Sequence, residues 1–563
     1  MTTVATLKGE SSVLWNFGSR SKHLDSYGDY GQSTIPQSQG RLNAAVVVSS
    51  LKIVISNQYP SPDLTLYPWE IIVEPYRKTL LSAVGGTAES TFVWTVKLMD
   101  EGSAFYEKAT INDHPGSFVS DLQGREVEVM FTDVAELYIV TLTEYGKEGD
   151  ILRNVEAEVM CKYVRRELRE LTQKDRERFF DALEVYHRVD LDKGRALYGD
   201  FFVNYESQTR KHLAKMTLDG YSPFHNGQVF ITAHFAFARE LELGLQAVDP
   251  SIALPYWEYT LDKVLYGSNW QVTSPIFSNA YFGAYPQEEE GVHTITTGRW
   301  AYLPIPKNFS MPERNAYGRL TDSVNPDPSG FVGRSKSMCG LETKAALPGC
   351  KELWGVIQSS SLDQLHGRVE FGYHGMLHSA VGGYWDCPYS MKEMAKEHPK
   401  FPPILEAIAI QANTLWRTAA IRGLTVCPHR GEECQAWDRL QDCSCTNPDL
   451  DKLADDELGY HFAYGILLRT SILDMLSANY WLQDYITTSS GPSHESKSKT
   501  DIDFSFNLPE QDNKKLIKWL VRFVSHPGKM APFATPLAAT NDPLFGPSHS
   551  AYLRLYRWGM DEG

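Results

Sequence analysis

His374-Gly-Met-Leu-His378-Ser-Ala-Val-Gly-Gly383 places two histidines four residues apart. On a helix that spacing sets both imidazoles on one face, where they can share a metal ion. The spacing alone is weak, because 16 histidines in 563 residues supply roughly half such a pair by chance. Three further segments strengthen it. Phe224-His225-Asn-Gly-Gln-Val-Phe-Ile-Thr-Ala-His234 carries two histidines nine apart. Nine residues are about 2.5 turns of a straight helix, which would put them on opposite faces. Both reach one ion only if His225 lies in a loop and His234 in the helix that follows. Pro223, Asn226 and Gly227 are consistent with that loop. His212, closing Tyr205-Glu-Ser-Gln-Thr-Arg-Lys-His212, is a third candidate on a preceding helix. Leu254-Pro-Tyr-Trp-Glu258-Tyr259 and Asn541-Asp542-Pro-Leu-Phe545-Gly-Pro-Ser-His549 complete the set. Neutral imidazole binds transition-metal ions without adding charge. Three imidazoles per ion leave coordination positions open for a small ligand.

Taken together, these segments resemble the tyrosinase family, catechol oxidases and polyphenol oxidases included, whose site holds two copper ions. His212, His225 and His234 match the family's first copper motif. His374, His378 and Val381–Gly383 match its second, and Pro255–Tyr259 resembles its Pro-Tyr-Trp-Asp/Asn-Trp signature, with Glu258 and Tyr259 departing from it. Asp542–Tyr556 resembles the closing signature. His549 falls on the family's ligand, Ser548 replaces its neighbouring His, and Leu553 replaces the usual Asp. The resemblance covers roughly residues 170–260, 365–390 and 540–563 and implies two copper ions with O2 as co-substrate.

Other histidines mimic parts of this pattern. His187 also precedes the first motif but sits in an ordinary amphipathic stretch. His461 rivals His549 but lacks the Asn-Asp-Pro-Leu-Phe lead-in. His366 stands four before Glu370, a poor copper ligand beside several imidazoles. A zinc-protease reading needs Glu where Gly375 stands, so it fails. Glu370 is four before His374 and shares its face. In plant-type members a Glu at this offset orders a water near the coppers, with an Asn partner just after the first ligand of the second motif. Here that position is Gly375. Glu370 is therefore the candidate catalytic residue, and the missing Asn favours diphenol oxidation over monophenol hydroxylation. The structural alternative is that Glu370 caps the helix or pairs with Arg368 or solvent. The family's thioether cysteine has no counterpart, since no Cys lies between Cys161 and Cys339.

The elements that must position these residues divide the chain. Residues 1–42 are polar and rich in Gly and Ser, and read as an extended arm. Residues 43–165 read as an all-β, immunoglobulin-like sandwich. Its strands are expected at Ala45–Val48, Ile53–Ser56, Trp69–Val73, Thr91–Leu98, Glu126–Phe131, Glu136–Leu142 and Val155–Tyr163. From Arg165 a helical period begins, with Leu168, Leu171, Phe179, Leu183 and Tyr186 on one stripe to Val189. Residues 166–563 then read as a mainly α copper domain of the family's four-helix-bundle type. Residues 286–350 look irregular. Glu393–Ile421, Leu458–Tyr485 and Gln511–Val524 are expected helices, and Thr487–Thr500 a surface loop. From His378 to His549 is 171 residues, far longer than the usual family gap. That leaves an insertion over about 388–535, able to act as a lid, a partner surface or a substrate-selecting wall. The chain ends 14 residues after His549, so no C-terminal shielding domain is expected.

Composition bounds the rest. Hydrophobic content of 42% and charge content of 22% are ordinary for a globular chain. A net charge of −16 argues against nucleic acid as a partner. No apolar run approaches the roughly 18–20 residues of a membrane helix, and no signal peptide is visible. Seven of eight cysteines fall between Cys339 and Cys445, which favours disulfides and an oxidising compartment or secretion. The alternative is a zinc site at Cys434, Cys443 and Cys445 with His429, a spacing that matches no common zinc pattern. Asn308-Phe-Ser310 is a single glycosylation sequon. The resemblance implies a copper oxidase or monooxygenase acting on small phenols or catechols, with tyrosyl side chains as a further substrate class. Its rivals are a hemocyanin-like O2 carrier and a secreted structural protein with a degenerate site.

Overall fold

Period-two burial builds the N-terminal region. In order the strands are β1 (Lys52–Ser56), β2 (Ile72–Val73), β3 (Lys78–Val84), β4 (Thr91–Leu98), β5 (Val119–Gln123), β6 (Glu126–Met130), β7 (Leu137–Tyr145) and β8 (Ile151–Cys161). The computed structural model describes residues 50–59, 69–99, 119–216, 224–225, 229–286, 292–305, 330–342, 347–425, 447, 449–489, 503–536 and 538–561. The strands form one sheet of order β1-β3-β6 and another of order β2-β8-β7-β4-β5. Leu81, Ala83 and Val129 from the first sheet share one core with Phe92, Trp94, Val96, Tyr138, Val140 and Leu142 from the second. Strands β3 and β5 were not expected. In Lys78-Thr-Leu-Leu-Ser-Ala-Val84 both faces carry apolar side chains, which blurs the alternation. Val119-Ser-Asp-Leu-Gln123 is a polar edge strand with little β-propensity. The 1–42 arm, Ala45–Val48, the sequon, and Cys427, Cys434, Cys443, Cys445 and His429 lie outside the described residues.

The described residues divide into two compact units between Val164 and Arg165. The second unit is mainly helical. Its helices are α1 (Gln173–Arg188), α2 (Leu191–Tyr198), α3 (Tyr205–Met216), α4 (Val229–Val248), α5 (Tyr259–Tyr266), α6 (Trp270–Thr273), α7 (Cys350–Ile357), α8 (Leu362–Gly367), α9 (Met376–Gly382), α10 (Met391–Ala395), α11 (Phe401–Ile410), α12 (Ala412–Ile421), α13 (Glu457–Arg469), α14 (Ile472–Ser477), α15 (Glu510–Ser525) and α16 (Phe545–Asp561). A wider π-helical stretch, Arg368–Gly375, runs into α9. No described helix is long and apolar enough to cross a membrane.

Several expected boundaries move, each for a local reason. Helix α1 begins at Gln173 rather than Arg165, because Thr172 caps it by accepting from the Asp175 N–H. The expected helix 393–421 is three helices: Pro402 and Pro403 start α11, and Gln411 separates it from α12. The expected helix 458–485 breaks at Ser471, whose φ of 60° is left-handed. Thr487–Ser489 is not loop but part of β12 (Ile486–Ser489), paired with β13 (Asp503–Phe506). The insertion is not a satellite. Phe401, Ile408, Trp416, Leu520 and Phe523 belong to the same core as Leu377, Val381 and Tyr552.

A small sheet fixes the end of α9. β9 (Ser337–Met338), β10 (Leu341–Glu342), β11 (Tyr384–Trp385) and β14 (Lys529–Met530) line up as β10-β9-β11-β14. A Cys339–Cys387 disulfide closes a 48-residue separation beside it. The other described cysteines, Cys161 (buried) and Cys350 (exposed), are free thiols.

Candidate metal centre

Helical spacing and a few long-range clamps gather six histidines into two triads. His212 comes from α3, His225 from the turn before α4, and His234 from the second turn of α4. His374 closes the π-helical stretch, His378 lies in α9, and His549 in α16. In each triad, one nitrogen per imidazole lies within 4.8 Å of the other two. The triads face each other, with His234 stacked 5.4 Å from His549 and His225 6.4 Å from His374 between ring centroids.

Backbone carbonyls set the imidazole tautomers. His234, His374 and His549 each direct Nδ1 at the carbonyl one turn earlier, of Phe230 (2.8 Å), Glu370 (3.3 Å) and Phe545 (2.8 Å). His378 directs Nδ1 at the Phe533 carbonyl, 2.6 Å away. A carbonyl can only accept, so Nδ1 carries the proton and Nε2 presents a lone pair. In the second triad His378 Nε2 is 2.8 Å from His374 Nε2, which is 3.1 Å from His549 Nε2. Burial lowers the proton affinity of all six rings: His234 and His378 fall to about 4, and the other four well below the ordinary histidine value. Three lone pairs thus converge with no proton between them, a repulsive arrangement that a cation among them would relieve. In the first triad the buried Nε2 atoms of His212 and His234 have no hydrogen-bond partner. Deprotonated and mutually facing nitrogens are what metal binding requires.

The closing segments hold this geometry. Gly382 and Gly383 are required by close backbone approach. A Cβ on Gly382 would sit 2.5 Å from Ala534 N, and one on Gly383 2.6 Å from Ser335 O at φ +77°. That contact brings Phe533 beside His378. Arg334, fully buried, makes a bidentate pair with Asp542 (3.1 and 2.8 Å) and donates to Phe282 O (3.0 Å). Asp542 also accepts from Leu544 N (2.9 Å), which starts α16 and so sets His549. Glu258, which departs from the resembled signature, pairs with Arg554 of α16. Trp257 N donates to Pro547 O (3.0 Å).

The rival histidines lie elsewhere. His187 packs between Tyr205 and Trp300, His461 is exposed on α13 beside Glu457, and His366 is buried in α8 outside the cavity wall. Glu370 is buried and lines the cavity, while Arg368 donates instead to Gly355 O. Gly375 also lines it, and a Cβ there would lie 3.0 Å from Glu370 O across the widened turn.

The triads form the floor of a cavity of about 660 Å³, counting its open mouth. Part of its wall escaped sequence reasoning: Ile410, Gln411, Asn413, Thr414 and Arg417 of the insertion, with Ala534 and Pro536. No motif marks them. Only the spacing of Asn413, Thr414 and Arg417 along one helical face hints at a shared surface.

A helical frame presenting two facing triads of buried imidazoles, each able to hold a metal ion, defines a histidine-based metal-binding class. The comparisons agree. Over 229 residues the chain is 30% identical to a tyrosinase of Streptomyces lincolnensis, covering 39% of this chain and 72% of that one. It is 27% identical over 162 residues to a tyrosinase of Streptomyces glaucescens, covering 28% of this chain and 53% of that one. It is 29% identical over 141 residues to grixazone synthase of Streptomyces griseus, covering 25% of this chain and 40% of that one. No family model matches. The chain belongs to the tyrosinase family of type-3 copper proteins and is an oxidoreductase.

Proposed function

We propose that this chain oxidises o-diphenols to o-quinones with O2, using one copper ion held by His212, His225 and His234 and a second held by His374, His378 and His549. The observation that carries the reading is the pair of facing triads, in each of which one nitrogen per imidazole lies within 4.8 Å of the other two, with three Nε2 atoms meeting in the second triad. Bound copper would supply the reversible one-electron couple and the O2 affinity. The chain supplies the rest. Carbonyls hold the Nδ1–H of His234, His374, His378 and His549, so those four rings need no reorganisation to ligate. Phe371, Ile410 and Phe545 offer apolar wall to an aromatic ring, and Phe545 stacks on His549 at 3.7 Å. Glu370 is assigned to order a water or take a proton from a diphenol hydroxyl. With Gly375 where an Asn would assist it, the reading favours diphenol over monophenol oxidation. An open cavity that exposes both triads and carries apolar wall beside them supports an enzyme over an O2 carrier. We also read the N-terminal unit as an immunoglobulin-like sandwich and α3, α4, α9 and α16 as the bundle around the coppers.

Catechol added to the copper-loaded chain should give o-quinone absorbance, with tyrosine turning over more slowly than L-DOPA. Reversible oxygen binding without turnover would overturn the enzyme reading. Equal rates on tyrosine and L-DOPA would overturn the diphenol preference.

A further inference from the structure

The cavity's charge pattern is a second piece of chemistry that the family likeness does not supply. The six imidazoles are held neutral, so among the described lining residues Arg417 is the only cation and Glu370 the only anion. Glu370 stands on the floor, four residues before His374. Arg417 stands on the wall, on α12 of the insertion.

The wall is rigid. Leu415, Trp416 and Ala419 bury one face of α12 in the core, and Trp416 Nε1 donates to Phe523 O of α15 at 2.9 Å. The opposite face offers Asn413, Thr414 and Arg417 to the cavity. Asn413 Nδ2 is tied to Ala534 O at 3.2 Å, which holds that face against the segment supplying Phe533 to His378. A planar guanidinium on an anchored helix, beside a hydroxyl and an amide, is a carboxylate receptor. Its five N–H donors let it take a carboxylate alongside a protein partner.

We propose that Arg417 makes this site selective for o-diphenols that carry a carboxylate on a short side chain, with the ring at the triads and the carboxylate at α12. This rests on the diphenol-oxidase reading and names its substrate class. Arg417 acts as a specificity-determining residue.

The test uses the copper-loaded full chain and compares kcat/KM for dihydrocaffeate, neutral ethylcatechol and cationic dopamine. The ratio of dihydrocaffeate to ethylcatechol should be about ten or more, the worth of one charge-assisted hydrogen-bonded contact. It should collapse toward one in Arg417→Gln and stay intermediate in Arg417→Lys, while dopamine gains relative to dihydrocaffeate in Arg417→Gln. A wild-type ratio near one, or a ratio unchanged by Arg417→Gln, overturns the proposal. Calorimetric binding of phenylpropionate against phenylpropionamide, neither of them oxidisable, reads the same contact without turnover. Absent turnover on all three catechols would sink the oxidase reading. Preferential phenylpropionate binding lost in Arg417→Gln would still support the anion site, and equal binding of acid and amide would refute it.

Discussion

Four imidazoles owe their orientation to a carbonyl that takes Nδ1–H, and three of those carbonyls belong to the histidine's own helix one turn back. That much was legible as spacing. The carbonyl of Phe533, 155 residues from His378, was not, because nothing local marks it. At Gly375 the sequence shows only a missing side chain, whereas the structure adds a reason: the widened turn brings Glu370 O within 3.0 Å of any Cβ. Gly375→Asn is expected to raise the monophenol-to-diphenol rate ratio by about ten-fold, toward the lower end of proton-transfer effects. It should also cost ~1 kcal/mol of stability from crowding. Gly375→Ala should show that cost without the rate change, and equal ratios in both variants would refute the role given to the Asn position. Buried neutral histidines also set a pH dependence. In the metal-free chain, burial lowers His187 to about 3 and His234 and His378 to about 4. The unfolded chain titrates these groups near 6.5, so below that pH it takes up protons the folded chain refuses. Their stabilisation is complete above pH about 6.5 and lost as pH falls toward 4, with a slope of up to ~1.4 kcal/mol per pH unit for each histidine. Urea-unfolding midpoints that stay flat between pH about 7 and about 5 would contradict this.

Elements came through the sequence in proportion to their periodicity. Strands β4, β7 and β8 and helix α15 were legible because their burial repeats cleanly. Strand β3 was not, and neither was the left-handed backbone at Ser471 that breaks the expected helix, since Ser471 is no glycine and nothing in the sequence marks it. The closing motif shows how an element is aimed. In sequence Asp542 is read only as the start of the closing signature. In the fold it is the buried counter-ion of Arg334 and the acceptor that starts α16. Asp542→Ala leaves a guanidinium buried without its charge partner and should cost about 3–5 kcal/mol. Replacing Arg334 and Asp542 together with apolar residues of similar volume should cost less than Asp542→Ala alone. Thermal denaturation of the two variants checks the order, and an equal or greater loss in the double variant would show that the pair does not aim α16 through its charge.

At the scale of the whole chain, two cores account for two units. The β unit closes around Trp94, fully buried with Nε1 donating to Gly124 O at 2.9 Å. The helical unit closes around a separate cluster that takes in both the histidine helices and the insertion. Trp94→Ala should therefore destabilise the β unit by about 3–5 kcal/mol while copper content stays as in the wild type; copper lost in parallel would show that the units do not stand apart energetically. The insertion's position in the core was beyond sequence reasoning, because its apolar residues carry no sign of which surface they will meet. What ties residue, element and molecule together is the claim that both triads hold metal. Copper per chain, measured after reconstitution and removal of loosely bound ions, tests it most directly. Two coppers in the wild type and about one in a folded His378→Ala variant are the predicted result. No retained copper in the wild type, or two retained in the variant, would contradict it.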